Sequence, residues 1–185
     1  MAGGAKNRNS ALALTFCGIM AALGAVIMIA GGFLAIAQYS APMLASVCLI
    51  PMMVEFGASK AWMGYAVTAI VTALLCPDKE LAFFYVFIGY YPMLREEFNR
   101  IRPTALKWVV KIAFFSAVTA LLYLFLCFVL KLDAVLSELS EYGNSIKALL
   151  FIGLVALLVL YDIALGAAFG IYKNKLRPKL KFLKK

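Results

Sequence analysis

The chain has 185 residues, of which 65% are hydrophobic and 15% charged, and its formal net charge is +9. Soluble domains average about 45–50% apolar and about 25% charged residues, so the composition excludes an ordinary water-soluble fold. Histidine is absent, which removes the commonest general base and the usual zinc or haem ligand. The composition therefore predicts a membrane protein that is not an enzyme and has no metal or cofactor.

Six apolar segments follow one another along the chain, and a membrane-spanning helix needs about 20 such residues. The predicted helices cover residues 11–37, 41–57, 60–76, 80–94, 104–131 and 146–172. Together they make a single all-α membrane domain over residues 1–185, with a basic tail at residues 173–185. Six helices nearly exhaust a chain of this length, so no second domain is expected.

Glycine and proline mark the expected ends and bends of these helices. Gly31 and Gly32 are expected to bend or end the first helix. Pro51 is expected to kink the second, because proline removes a backbone hydrogen bond. Residues 76–80 have the composition of a turn. Residues 132–147 have the spacing of a short amphipathic helix that would lie at the membrane surface.

Lysine and arginine indicate how the helices are oriented, because these residues accumulate on the cytoplasmic side of a membrane. If alternate loops of the six-helix arrangement lie on opposite sides, fifteen basic residues fall on one side and three on the other. The richer side holds both ends of the chain, so both termini are predicted to be cytoplasmic in the cell membrane. The net charge thus indicates orientation, and nucleic acid is not an expected partner. The basic tail is expected either to bind anionic lipid or only to enforce this topology.

Three charged residues fall within apolar helices, where an ionised group costs several kcal/mol unless it is paired or hydrated. They are Glu55, Lys111 and Asp162. In the six-helix topology all three lie in the cytoplasmic half and are able to meet. One interpretation is a charge network that senses a partner or gates transport, and the other is an ion pair that fixes helix register.

Two further groups of residues are candidates for contacts. Small side chains share one face of the first helix and would allow another helix, from the same chain or another subunit, to approach closely. These residues are Gly18, Ala21, Ala22 and Ala25. On the predicted extracellular side, polar and aromatic residues form a candidate small-molecule site, although solvated loops and an interfacial aromatic belt explain them equally. These residues are Gln38, Tyr39, Asp78, Lys79 and Tyr85.

Four short motifs resemble those of a known group of proteins. They are Val54-Glu55-Phe56-Gly57, Pro77-Asp78-Lys79, Gly89-Tyr90-Tyr91-Pro92 and Lys107-Trp108-Val109-Val110-Lys111. The chain resembles a group of small clostridial membrane proteins akin to S components, the substrate-binding membrane subunits of energy-coupling factor transporters. The six-helix plan and the Ala21-x-x-x-Ala25 face add to this resemblance, which spans nearly the whole chain.

The resemblance implies capture of a small organic solute on the extracellular side, as in vitamin uptake. In S components the alanine face of helix one packs on a transmembrane coupling subunit, and Ala21 and Ala25 would inherit that role. Separate ATPase subunits would supply the energy, because the sequence has no G-x-x-x-x-G-K-[ST] motif. The metal-ion S components are a poor match, since they use histidine-containing ligand sets.

Two other functions are consistent with the residues. The main alternative is a non-transporting membrane subunit or scaffold that acts through helix–helix and lipid contacts. An intramembrane enzyme would use Glu55 or Asp162 as acid or base, but no nucleophile–base pair is evident. We therefore expect a solute-binding subunit and predict no catalytic residues.

Overall fold

The computed structural model describes residues 2–34, 37, 39–125 and 144–179, and all regular elements in these ranges are helical. The described α-helices are α1 (Ala2–Gly32), α2 (Ser40–Val47), α3 (Leu49–Phe56), α4 (Ala58–Leu75), α5 (Lys79–Ile88), α6 (Tyr91–Asn99), α7 (Thr104–Phe125) and α8 (Asn144–Ile171). α8 continues into a π-helical turn at Tyr172–Leu176. Gln38, most of the predicted amphipathic segment and the end of the basic tail lie outside the described residues.

Within the described residues, four helical stretches are long and apolar enough to cross a membrane. They are Ala11–Gly32, Ala58–Leu75, Thr104–Leu122 and Ala148–Leu176. Only 22% to 28% of each stretch is buried inside the protein, so most of its apolar surface faces outward. Such surface is stable only in an apolar surrounding. The structure is therefore that of an all-α, membrane-embedded protein, as the composition predicts.

The second predicted span is broken into α2 and α3 at Cys48. Pro51 explains the break, because it has no N–H to donate to the carbonyl of Val47 and its ring crowds that carbonyl. The two short helices together cover the apolar segment Ser40–Phe56. The sequence-based expectation of a kink caused by Pro51 agrees with this break.

The fourth predicted span is also broken, into α5 and α6, at Gly89 and Tyr90. α5 has 10 residues and α6 has 9, so neither helix alone reaches the length of about 20 residues that a membrane crossing needs. Four of the six predicted spans thus coincide with long helices, and the other two are helix pairs. Six crossings remain a prediction.

The chain divides into two compact units. The first comprises Met1–Arg95 and Leu165–Lys185, and the second comprises Glu96–Ala164. In the first unit α1 packs against α2 and α4, α3 packs against α4, and α2 packs against α5. α1 ends at Gly32, where other segments of the same chain pack closely against it. A side chain at Gly31 would meet Ala41, and one at Gly32 would lie 2.9 Å from the Cys76 sulfur.

One residue, Gly57, joins α3 to α4. Its φ of 86° and ψ of 169° lie in a backbone region that only glycine occupies without strain. A few residues into α4, Gly64 leaves room for the side chain of Met52, which a methyl group at that position would displace. These two glycines allow α3 and α4 to be connected by a very short turn and still pack closely.

Candidate functional site

Tyr85 lies at the centre of the first unit, where α1, α2, α4 and α5 meet. Its side chain is completely buried, at 0% exposure. The buried residues packed around it are mostly small or flexible: Met28, Ala41, Ala45, Cys76, Leu81 and Ala82. Of the predicted binding residues that the structure describes, Tyr85 is thus the one that the fold places in the interior.

The Tyr85 side chain packs on the break between α5 and α6. A methyl group at Gly89, in that break, would lie 2.8 Å from two atoms of the Tyr85 ring. The absence of a side chain at Gly89 therefore lets the tyrosine ring pack where the helix is interrupted.

The Tyr85 hydroxyl is buried without a hydrogen bond of acceptable geometry to the described residues. The hydroxyl of Thr68 is beside it; Thr68 donates its own proton to the carbonyl of Ala21 at 3.3 Å, and its oxygen can still accept a hydrogen bond from a group that moves closer. A buried polar group without a partner costs about 1–3 kcal/mol, and such groups in native proteins often mark a bound water or ligand. A solute that hydrogen-bonds to this hydroxyl would recover that free energy.

Other polar groups near Tyr85 are uncharged, and the backbone satisfies them. Tyr65 donates to the carbonyl of Val86 at 2.6 Å, in the last turn of α5. Thr72 donates to the carbonyl of Thr68 at 2.8 Å. The ring of Tyr65 also lies 5.8 Å from that of Tyr85, measured between centroids. The surroundings of Tyr85 therefore combine aromatic surface with neutral hydrogen-bonding groups.

Three other predicted binding residues are described, and they lie on or beside α5, in local structural roles. Asp78 caps the start of α5 and accepts hydrogen bonds from the backbone N–H groups of residues 80 and 81, at 3.0 and 3.4 Å. Lys79 donates to the carbonyl of Ala73, near the end of α4, at 3.0 Å. Tyr39 is 52% exposed and meets the ring of Phe84 edge to face. All of these contacts are made within the chain, and none requires a ligand.

Two of the three predicted membrane charges meet in the second unit. The Lys111 ammonium of α7 donates to the Asp162 carboxylate of α8 at 2.6 Å, and both side chains are almost completely buried. The Lys111 nitrogen also lies 5.5 Å from the centre of the Trp108 ring. Opposite charge, a short contact and an aromatic face together stabilise an ammonium in an apolar environment. The structure thus gives Asp162 a charged partner.

The third predicted charge, Glu55, makes its described contacts within the first unit. Its carboxylate forms an ion pair with Arg177, whose Nε lies 3.1 Å away, and accepts a hydrogen bond from the Tyr172 hydroxyl at 3.4 Å. Both partners follow the end of α8, and the Glu55 side chain is only 6% exposed. The contact fastens the end of α3 to the C-terminal end of α8. A single network that joins all three predicted charges stays a prediction.

The four small residues of α1 have different surroundings. Ala21 and Ala25 are buried within the chain, at 5% and 6% exposure, and the carbonyl of Ala21 accepts the bond from Thr68. Gly18 and Ala22 are exposed, and a methyl group at Gly18 would have no neighbour within 4 Å. The buried pair forms part of the fold of this chain, whereas the exposed pair remains accessible to another helix.

Several residues at these sites were not singled out by the sequence. Thr68 is one of several polar residues in an apolar helix, and nothing in α4 distinguishes it. Gly89 belongs to a motif of the resemblance, and its contact with Tyr85 is local, because the Gly89 N–H donates to the Tyr85 carbonyl four residues earlier. Arg177 is one of several basic residues in the tail. Only tertiary contacts distinguish Thr68 and Arg177 from their neighbours.

Comparison with protein-family models, with curated proteins and with solved structures finds no match to this chain. Within the described residues, no group of three His, Cys, Asp or Glu side chains is arranged to hold a metal ion. The features of this chain that bear on function are therefore the surroundings of Tyr85 and the ion pairs of Lys111 with Asp162 and of Glu55 with Arg177.

Proposed function

We propose that the protein is the solute-binding membrane subunit of a micronutrient uptake transporter, of the type that S components represent. The observation behind this proposal is the position of Tyr85, which is buried beside the break between α5 and α6 and whose hydroxyl has no hydrogen bond to the described residues. Many transporters bind their substrates at interrupted helices, because the interruption leaves backbone polar groups available at membrane depth. The ligand is a small organic solute that contacts aromatic surface and accepts or donates a hydrogen bond at Tyr85.

The proposal includes six membrane crossings, with both ends of the chain in the cytoplasm. The bond between Glu55 and Arg177 supports this topology, because it joins the end of α3 to the segment that follows α8. Gly57 and the start of α4 therefore lie at the C-terminal end of α8. α4 has 18 residues and a length of about 27 Å, so Lys79 lies at the opposite end of the first unit. In this arrangement α2 and α3 together complete one crossing.

In this proposal, other proteins supply the energy for uptake. By resemblance, the partners are a transmembrane coupling subunit and cytosolic ATPases, together with the surrounding lipid. Gly18 and Ala22 support a contact at α1, because they present small exposed side chains to which a neighbouring helix has access. Ala21 and Ala25 would act indirectly, since they hold α1 against α4.

The solute site is tested by ligand-dependent stability of the purified protein in mild detergent. We expect one compound from a panel of vitamins and their precursors to raise the midpoint of thermal unfolding. Tyr85→Phe removes the hydroxyl, and Gly89→Ala displaces the Tyr85 ring. Each change should weaken binding about ten-fold, equivalent to about 1.4 kcal/mol, which is the scale of one buried hydrogen bond.

Gly153→Ala is the matched control, because a methyl group at Gly153 would have no neighbour within 4 Å. This variant should bind the compound as the native protein does. Equal binding by folded Tyr85→Phe and Gly89→Ala variants would contradict the proposed site. If no compound binds the native protein, the alternative of a non-transporting subunit would be favoured.

A further inference from the structure

The π-helical turn after α8 begins and ends beside the same buried carboxylate, that of Glu55. The turn covers Tyr172–Leu176, and the N–H of Arg177 donates to the carbonyl of Tyr172 at 2.9 Å. This bond spans five residues, whereas an α-helical bond spans four. The Tyr172 hydroxyl and the Arg177 Nε lie 3.4 and 3.1 Å from the Glu55 carboxylate. The helix therefore departs from α-helical geometry where it meets Glu55.

The π-helical turn explains how both side chains reach one carboxylate. Residues five apart in an α-helix point in directions about 140° apart, because each residue turns the helix by about 100°. A π-helical turn contains one more residue, so Tyr172 and Arg177 lie on the same side of it. If this segment were α-helical, Tyr172 would keep its position and Arg177 would turn away from Glu55. The contact with Glu55 therefore favours the π-helical form.

The contact that favours this rare form is a weak one. The Nε atom of Arg177 is buried but makes no well-aligned hydrogen bond to the described residues, whereas the strongest arginine–carboxylate pairs are bidentate and aligned. The Arg177 side chain as a whole is 42% exposed, so solvent and salt screen its charge. π-helical turns are uncommon and occur frequently at functional sites. Loss of this contact would let the segment return to the commoner α-helical form.

On the other side of the contact, Glu55 lies next to a hinge. It precedes Gly57 by two residues, and Gly57, with its φ of 86°, joins α3 directly to α4. A methyl group at Gly57 would have no neighbour within 4 Å, so open space surrounds this joint. Hinges are a few residues at the ends of elements that absorb changes in φ and ψ. Opening of the contact would therefore also release the end of α3.

We propose that residues 172–177 form a conformational latch with two helical registers. With Glu55 bound, the segment is π-helical and holds the end of α3. When the contact opens, the segment becomes α-helical, which turns the residues after it by about 100° and moves them about 1.5 Å along the helix axis. A movement of α3 about Gly57 is thereby transmitted to the basic tail. The latch does not depend on the proposed solute site.

The test measures distances between pairs of spin labels by pulsed electron paramagnetic resonance, in the full-length chain without native cysteines. One label is at Lys179→Cys and the other at Ser59→Cys or Leu44→Cys, all exposed positions of the first unit. Two reference positions make a shift visible whatever its direction. Glu55→Gln and Arg177→Gln should each shift the main distance, because a turn of 100° moves a side chain on the helix surface by about 8 Å.

Two further variants are the matched controls. Lys175→Gln removes one charge from an exposed position of the same turn and should leave the distances unchanged. Deletion of Asn174 removes the extra residue, so Tyr172 and Arg177 become four residues apart and share one side of an α-helix. This chain should keep the native distances, and adding Glu55→Gln to it should cause no shift, because it has no second register. The thermal unfolding midpoint shows that each variant is folded.

Three outcomes would overturn the proposal. Native distances in a folded Glu55→Gln or Arg177→Gln variant would show that the π-helical turn does not depend on the contact. An equal shift in Lys175→Gln would indicate an effect of net charge alone. A shift caused by Glu55→Gln in the chain that lacks Asn174 would indicate that the whole segment moves without a change of register.

Discussion

The role of Lys111 and Asp162 could be inferred only in part from the sequence. Both are charged side chains in apolar helices, so the sequence marks them without indicating their partners. The structure joins them at 2.6 Å across α7 and α8, which favours the interpretation that the pair fixes the register of these helices. Replacing either residue alone by an uncharged one would leave the other charge buried without its ion-pair partner, which is far less stable than the paired state.

We predict that Lys111→Met destabilises the protein by about 3–5 kcal/mol, because it leaves the Asp162 carboxylate buried without its cation. The measurement is the free energy of unfolding in detergent. Lys111→Met/Asp162→Leu should regain most of the loss, since it removes both charges. Arg100→Gln is the control, because its ion pair with Glu97 is largely exposed and is worth at most about 1 kcal/mol. A Lys111→Met variant as stable as this control would disprove the structural role.

At the scale of the helices, one break was predicted and the other was not. Pro51 forces a break because its missing N–H is a property of that residue alone. Pro92 has the same effect on the carbonyl of Ile88, four residues earlier, and so accounts for the break at Gly89 and Tyr90. We did not predict this break, although Pro92 indicates it. The packing of the Tyr85 ring on Gly89 is a different matter, because glycine makes such packing possible but does not require it.

The number of crossings can be tested by labelling single cysteines in a background without native cysteines. We predict that Lys60→Cys and Lys175→Cys react from the cytoplasmic side of the membrane, and that Lys79→Cys reacts from the outside. Six crossings require this result, because the helix pairs α2–α3 and α5–α6 each carry the chain across. The measurement is modification by a membrane-impermeant maleimide in whole cells and in inverted vesicles.

A protein in which only the four long stretches cross would label differently. With the N-terminus in the cytoplasm, Lys60 would then be outside and Lys79 inside, while Lys175 would remain inside. The bond from Glu55 to Arg177 is 3.1 Å long, and a membrane core of about 30 Å would separate the two ends of that bond. Lys175→Cys therefore serves as the control that reacts alike in both topologies.

At the scale of the whole molecule, the small residues of α1 have two expected roles. The exposed residues, Gly18 and Ala22, are expected to contact a partner subunit, whereas the buried residues, Ala21 and Ala25, pack within the chain. We predict that affinity purification of the native chain from its own cells recovers coupling and ATPase subunits, identified by mass spectrometry. Gly18→Leu/Ala22→Leu should reduce their recovery about ten-fold, because larger side chains prevent close helix approach. Gly153→Leu/Ala156→Leu, at exposed positions of α8, should leave recovery unchanged.

The outcomes of this purification separate the two candidate functions. Loss of the subunits in the α1 variant alone would support a transporter subunit that docks through α1. If the native chain recovers no ATPase under conditions that preserve a known transporter complex, the non-transporting alternative would be supported. Ala21→Leu/Ala25→Leu is unsuitable for this purpose, because both residues are buried inside the chain and their enlargement would disturb its own packing.

The sequence by itself determined that this is an all-α membrane protein, where its four long apolar helices lie, that Pro51 interrupts a fifth segment and which charges are unusual. These properties are local, because in a bilayer each helix must satisfy its own backbone and present apolar side chains. Only the tertiary structure decided that Tyr85 is completely buried, that Ala21 and Ala25 are internal, and which groups pair. Lys111 and Asp162 are 51 residues apart, and Glu55 and Tyr172 are 117 apart. Such pairings depend on how distant helices pack, which local hydropathy does not specify.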